Sequence, residues 1–254
     1  MPITRTDVGD VALLRLAEPA GNALGHALLD AAGRALDEVL ASGARALVLT
    51  GDRTVFSTGL HLVEAAGYDR AAMARYVDAF DGFFLRVFEL PLPVVAAVNG
   101  HAIAGGCILM AAADTRIMAD GPFGVGVTEV TLGLPFPSGA LEVTRAAIAP
   151  AAWTEAFLLG RRFTPREAAA IGLVHRVVAP DALHDEAVAA ARALGAQPRA
   201  ALAAAKAQLR APVVSRIRDA YDAAKERFLD AWFAPDARAA RDAVLADLRK
   251  KKGS

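Results

Sequence analysis

A glutamate stands among apolar neighbours in the stretch FGVGVTEVTLGLPFP (123–137). Val127-Thr128 precede Glu129 and Val130 follows it. Such a residue is either an exposed carboxylate on a half-buried strand or a desolvated group. In the second case its pKa rises, which suits a group that moves protons near neutral pH. Two other stretches have features that would serve such chemistry. VFSTGLHL (55–62) places Ser57-Thr58-Gly59 before Leu60. Glycine lets the backbone turn sharply there, so successive N–H groups can face a ligand instead of a partner strand. VNGHAIAGGCILMAAAD (98–114) places Gly105-Gly106 between a strand-turn and an apolar helix. The N-terminus of that helix offers free N–H donors and a positive dipole end to an anionic oxygen. It is not a dinucleotide fingerprint, because G-x-G-x-x-G is absent, and no Gly-Lys-Ser/Thr follows to make a phosphate loop.

These stretches need elements to position them. VALLRL (11–16) reads as a strand, and Ala32, Leu36, Val39 and Leu40 follow Leu28 and Leu29 at helical spacing. ARALVLTG (44–51) is a buried strand stopped by glycine. Residues 70–90 carry Met73, Tyr76, Val77, Phe80, Phe84, Val87 and Phe88 on one helical stripe, a core-facing helix. VVAAVNG (94–100) is a strand with a turn, GCILMAAAD (106–114) an interior helix and TRIMAD (115–120) a strand. A helix follows over residues 153–159, and residues 171–178 read as a strand with a turn before it. Strands alternating with helices imply an α/β fold with mostly parallel pairing. From about Ala182 strand signals stop. Helices are expected over 182–195, 198–210, 213–233 and 235–251, punctuated by Gly195, Pro198, Pro212 and Pro235. The basic tail, residues 249–252, suits a helix C-terminus.

Bulk properties exclude several function classes. Lys+Arg 28 balances Asp+Glu 28, so no overall field favours nucleic acid or an acidic partner. A single cysteine, Cys107, excludes an internal disulfide framework and a cysteine-based zinc site. The opening MPITRTDVGDVALLRL lacks the pattern of a secretion signal. Residues 93–113 have the length of a membrane span, but Pro93, Asn99-Gly100 and His101 favour a buried strand followed by a buried helix.

Taken in order, the motifs resemble the crotonase family, the enoyl-CoA hydratase/isomerase superfamily. Phe56-Ser57-Thr58-Gly59-Leu60-His61-Leu62 is similar to its F-S-x-G-x-x-L, and residues 98–107 to its V-N-G-x-A-x-x-G-G-C. Residues 129–134 match E-V-x-L-G-L, residues 160–178 match the G-x-x-F-T-P-x-E-A-x-x-I-G-L-V run, and Pro19-Ala20-Gly21-Asn22-Ala23-Leu24 resembles its P-x-x-N-x-L turn. The resemblance covers nearly the whole chain. It implies a spiral of ββα units over residues 1–195 and a C-terminal helical region, 196–254, that packs subunits into trimers or a dimer of trimers. Phe228, Leu229, Trp232 and Phe233 fit such an interface or, equally, an intrachain role. It further implies an acyl-CoA thioester substrate, with CoA entering only as part of that substrate, no metal or redox cofactor, and a cytoplasmic location. The thioester oxygen would be held by the backbone N–H groups of Leu60 and Gly105. Ser57, Thr58, Gly59, His61, Leu62, Ala23, Leu24, Ile108 and Thr128 would line the substrate site, with Glu129 as the proton-transfer group. A side chain at Gly105 would then block the oxygen's approach.

Departures from the pattern sharpen the expectation. Many hydratases of the family carry a glutamate just after Gly-Gly-Cys, where this chain has Ile108. Hydration uses two carboxylates around one water. A 1,3 proton shift needs only one, so the chain looks most like the family's Δ3,Δ2-enoyl-CoA isomerases. The alternatives are a 2-enoyl-CoA hydratase and a non-catalytic scaffold that binds acyl-CoA. His61 replaces an aspartate usual in the family; it is either a surface residue or a substrate contact. Ala104 stands where a first glycine is common. Leu134-Pro135-Phe136-Pro137-Ser138 lacks the family's P-G-x-G-G turn, which helps shape the acyl pocket.

Overall fold

Apolar strands come first in the chain, and the structure stacks them in spiral turns. In the computed structural model, which describes residues 1–252 and side chains through residue 246, the elements run as follows. Strands β1 (Ile3–Val8), β2 (Val11–Leu16) and β3 (Ala23–Leu24) precede helix α1 (His26–Ala41). Strands β4 (Ala46–Thr50), β5 (Val55–Ser57) and β6 (Gly59–Leu60) lead into the short α2 (Leu62–Ala65) and the long α3 (Arg70–Glu89). Then come β7 (Val94–Val98), β8 (His101–Ile103), α4 (Gly105–Ala111), β9 (Thr115–Ala119) and β10 (Val125–Gly126). A 3-10 turn at Glu129–Leu132 leads to α5 (Ser138–Ala147), a π-helical turn at Thr154–Leu158, α6 (Pro165–Ala170) and β11 (Arg176–Val178). Helices α7 (Leu183–Gly195), α8 (Arg199–Phe233) and α9 (Pro235–Lys252) close the chain. The side chains of the basic tail, residues 249–252, lie outside the described residues.

The strands divide between sheets. Six form a sheet in the order β1-β2-β4-β7-β9-β11, with the β1–β2 hairpin antiparallel and every other pair parallel. A second, all-parallel sheet has the order β10-β8-β5, and β3 pairs with β6 in a third. Successive turns of the spiral give one strand to the large sheet and the next to a small one: β4 then β5, β7 then β8, β9 then β10. Strands buried on both faces read as continuous apolar runs, which is why VVAAV does not alternate. Val94, Ala96 and Val98 face the main core, while Val95 and Ala97 face Leu183, Ala187 and Ala191 of α7. This is the mixed α/β architecture with a C-terminal helical region that the sequence implies. Residues 93–113 resolve into a strand, a turn, a strand and a buried helix. No described helix is long and apolar enough to cross a membrane.

Three expectations change. Helices 198–210 and 213–233 are one helix, α8, running through Pro212. Proline removes one helical N–H and clashes with the preceding turn, but tertiary bonds grip the helix on both sides. Lys206 Nζ donates to Leu92 O and pairs with Asp114, Arg210 pairs with the same carboxylate, and Arg216 pairs with buried Glu142. The helix over 153–159 is a π turn, and only Arg176–Val178 of the 171–178 run is strand. Phe228, Leu229 and Trp232 are buried within the single chain, which fits the intrachain role that the sequence left open beside an interface.

Backbone packing between the spiral turns predicts a sharp contrast between two glycines. A Cβ at Gly106 would lie 2.1 Å from the Ser57 carbonyl oxygen, whereas one at Gly82, exposed on α3, meets nothing within 4 Å. Gly106→Ala should lower stability by about 3 kcal/mol or more. Gly82→Ala should raise it by about 1 kcal/mol through helix propensity. Denaturant melts of both variants check this, and similar effects in the two would refute the packing account.

Candidate active site

The three stretches singled out by their chemistry meet at one edge of the small parallel sheet. Strands β5, β8 and β10 run in the same direction, with Val55 opposite His101, Val125 opposite Ala102 and Gly126 opposite Ile103. Their C-terminal ends therefore lie together. The chain leaves β5 into Ser57–Leu60, β8 into Ala104–Gly105, and β10 into Thr128–Glu129. Loops at the carboxyl ends of parallel strands are where ligands settle in open α/β sheets.

Leu60 and Gly105 approach through backbone alone. Gly59 has φ +80°, a conformation that favours glycine, and a Cβ there would sit 2.5 Å from the Gly105 nitrogen. A Cβ on Gly105 would lie 3.2 Å from Gly59 Cα and 2.5 Å from the Phe80 ring. The requirement for glycine at 105 thus comes from the protein's own packing, not only from room for a ligand oxygen as expected. Gly105 opens α4, so its N–H has no partner within the helix. Ala104 holds φ +50°, ψ −124°, a strained conformation for a residue with a Cβ. Its N–H donates to Gly126 O at 2.8 Å, which ties the start of α4 to the strand that leads to Glu129.

Glu129 is buried, 8% exposed, at the first position of its 3-10 turn. That settles its sequence alternatives against the exposed strand position. Oε2 has no hydrogen-bond partner among the described residues. Burial pushes its carboxyl up to about 7, partly opposed by backbone hydrogen bonds from Glu129 and Thr128. Cys107 of α4 feels its charge, which adds to the upward push that burial gives the thiol. Ile108 and Thr128 are buried beside these elements.

The other expected substrate-lining residues divide by environment. Ala23 and Leu24 form β3, paired in register with Gly59 and Leu60. Ser57 is wholly buried: its hydroxyl donates to Asn22 O at 2.7 Å and accepts from Gly59 N–H at 3.1 Å. Its bonds shape the loop from within. Thr58 is exposed and Leu62 buried. His61 is half-buried and caps α2, its Nδ1 accepting from Glu64 N–H at 3.1 Å. Sequence reasoning gave no individual role to several residues around these loops. Asn22, at φ +55°, donates from Nδ2 to Val55 O and Phe56 O. Asp81 of α3 accepts from Gly139 N–H at 2.9 Å and Ala140 N–H at 2.8 Å, capping α5, and burial pushes it up to about 6. Glu64 accepts from His26 N–H at 3.2 Å and from the Tyr68 hydroxyl. Helix α9 packs on both α2 and the Glu129 turn, with Ala237 against Gly133. Among the described residues, no cluster of His, Cys, Asp and Glu is arranged to hold a metal.

An edge that presents two converging loops and one desolvated carboxyl fits the enoyl-CoA hydratase/isomerase family, whose pattern matches residues 7–245; the chain belongs to this family. Among its relatives, human mitochondrial enoyl-CoA delta isomerase 1 is 33% identical over 211 residues, covering 82% of this chain and 70% of that protein. A probable enoyl-CoA hydratase of Mycobacterium avium is 38% identical over 204 residues, 78% of this chain and 77% of its own. The crystal structure of human mitochondrial delta3-delta2-enoyl-CoA isomerase superposes with TM-score 0.92 at 30% identity, over 99% of this chain and 100% of that one. An enoyl-CoA hydratase/isomerase from Xanthobacter autotrophicus Py2 gives 0.86 at 29% identity, over 97% and 94%.

The raised carboxyl at Glu129 predicts a pH signature in stability. Its folded value of about 7 lies above the ordinary 4.5, so the folded state holds a proton that the unfolded chain releases between those values. That contribution is complete below about 4.5 and lost as pH rises through 7. Glu129→Gln abolishes the titration. Its stability relative to the wild type should therefore be about 2–3 kcal/mol more favourable at pH 8 than at pH 5, at about 1.36 kcal/mol per pH unit. A difference independent of pH would show that Glu129 is hydrated in the folded state.

Proposed function

We propose that this enzyme is a Δ3,Δ2-enoyl-CoA isomerase that moves a double bond with one carboxylate and two backbone amides. The carrying observation is the combination of buried Glu129, whose Oε2 has no hydrogen-bond partner among the described residues, with buried, apolar Ile108 at the position where many hydratases of the family have a second glutamate. Glu64 and Asp81, carboxyls on flanking elements, are bonded to other groups within the protein.

In this reading the substrate is a 3-enoyl-CoA. The Glu129 carboxylate takes a proton from C2, and the electrons delocalise through the C3–C4 double bond and the thioester. Negative charge develops on the thioester oxygen, where the N–H groups of Leu60 and Gly105 donate to it. The same carboxyl returns its proton to C4, leaving the double bond between C2 and C3 and the enzyme unchanged. Preorganised donors act only where charge develops; losing one such donor costs about 2.7–4 kcal/mol of activation free energy in a comparable hole. A base with a value near 7 matches this task, because it can both take and return a proton near neutral pH. CoA belongs to the substrate and no other cofactor is required. The family likeness extends the reading to a homotrimer or dimer of trimers in the cytoplasm. The hydratase relatives favour a second reading, 2-enoyl-CoA hydration, which would need an acid besides Glu129.

Purified protein given 3-hexenoyl-CoA should yield the 2-enoyl isomer without change of mass, and 2-hexenoyl-CoA should gain little water. Dominant water addition would favour the hydratase. Glu129→Gln should reduce isomerisation by about 10²–10⁴-fold. Wild-type kcat/KM should rise with pH through a midpoint near 7, as the base ionises. Near-wild-type turnover by Glu129→Gln would remove Glu129 from the reaction.

A further inference from the structure

Helix α3 touches both halves of the backbone site through side chains one turn apart. Tyr76, 1% exposed, places its hydroxyl between the two strands that lead to Leu60. The hydroxyl donates to Leu24 O at 2.5 Å and accepts from His61 N–H at 3.3 Å. Leu24 is the register partner of Leu60, and His61 is the next residue along the chain. Phe80, four residues on, puts its ring where a Cβ on Gly105 would stand. The two rings also touch each other, with centroids 5.6 Å apart.

The Leu60 strand needs such a tie. The β3–β6 ladder is only two residues long, so it has few bonds of its own. Its entry side is fixed by Ser57, whose hydroxyl bridges Asn22 O and Gly59 N–H, and by Thr58 N–H donating to Gly21 O at 3.0 Å. On the exit side, Tyr76 bonds the residue after Leu60 and the carbonyl of its partner. The ring is itself seated, with His26 edge-on at 5.3 Å and Tyr68 at 5.6 Å. Burial pushes the phenol well above its ordinary range, so the hydroxyl keeps the proton it donates.

We propose that Tyr76 is a positioning residue for the Leu60 amide: its hydroxyl fixes the direction of that N–H by tying both strands of the short ladder to α3, while Phe80 sets the distance to Gly105. This rests on the oxyanion role proposed above for Leu60 and Gly105. Tyr76 is buried and acts through the backbone of Leu24 and His61. Its effect is on the geometry of a donor, where displacements of about 1 Å cost on the order of 10²-fold in rate.

Tyr76→Phe removes the hydroxyl and keeps the ring. The test reads kcat and KM on 3-hexenoyl-CoA, together with the absorption band of bound 4-(dimethylamino)cinnamoyl-CoA, which shifts red when the thioester carbonyl is polarised. The variant should lose about 10–100-fold in kcat, hold KM within threefold, and lose at least half of the red shift. Tyr68→Phe, in the same aromatic cluster but bonded to Glu64, should keep the shift. If Tyr76→Phe does not fold, His61→Pro and His61→Ala replace it. Proline deletes the N–H that donates to Tyr76, at a residue whose φ of −74° it accepts, while alanine keeps the N–H. Both variants lose the His61 side chain, so the proline variant should lose at least half of whatever shift the alanine variant retains. A wild-type shift and kcat in Tyr76→Phe, or equal shifts in the two His61 variants, would overturn the role of Tyr76. No red shift in the wild type would overturn the oxyanion reading, and this inference with it.

Discussion

Two stretches of backbone lie closer together than side chains would permit, and the rest of the site is arranged around that approach. Residues 57–59 press on residues 104–106 so tightly that a Cβ at Gly59, Gly105 or Gly106 would meet backbone or a ring inside van der Waals distance. Main-chain donors are rigid in a way that side-chain donors are not, because no χ rotation separates the N–H from the fold. Their aim is therefore set by strand register and helix placement. The surrounding machinery serves that end: the Asn22 and Ser57 bonds behind the loop, α3 across it, and the strained Ala104 that turns β8 into α4.

Against this rigid backbone stands one group whose environment is unfavourable to it. Glu129 is buried with an oxygen lacking a hydrogen-bond partner, an arrangement that raises its affinity for a proton and weakens the fold at neutral pH. Asp81 is also a buried carboxyl pushed upward, but two backbone N–H groups satisfy it at the start of α5. The contrast separates a carboxylate satisfied by the fold from one with an oxygen that no described residue bonds. Asp81 stands on α3 itself, so the helix whose Phe80 ring abuts Gly105 also caps α5.

Much of this was legible in the sequence because it rests on local pattern. The order of the three stretches, the turn-forming glycines and the apolar strands gave the family, the alternation of strand and helix, and the residues that converge. Glu129 left two readings because its neighbours alternate with neither clear strand nor clear helix periodicity; only tertiary burial decides between them. Pro212 misled because local propensity says break, while Lys206, Arg210 and Arg216 hold the helix from residues distant in sequence. Tyr76 and Phe80 read as ordinary core on an aromatic stripe. Their further contacts, to Leu24, His61 and Gly105, join elements whose meeting no spacing rule reveals. Ser57 is a polar residue within a motif, and the structure shows its hydroxyl bonding Asn22 O and Gly59 N–H, contacts that the sequence does not reveal.

The last helix packs on both α2 and the Glu129 turn. During synthesis a chain is made from its N-terminus, so this cover emerges after the elements it packs on. Helix α9 then packs against the turn that carries the carboxyl. Order of synthesis thereby separates two parts that the finished fold combines: the glycine loops are made first, and the helix packed on the Glu129 turn is made later.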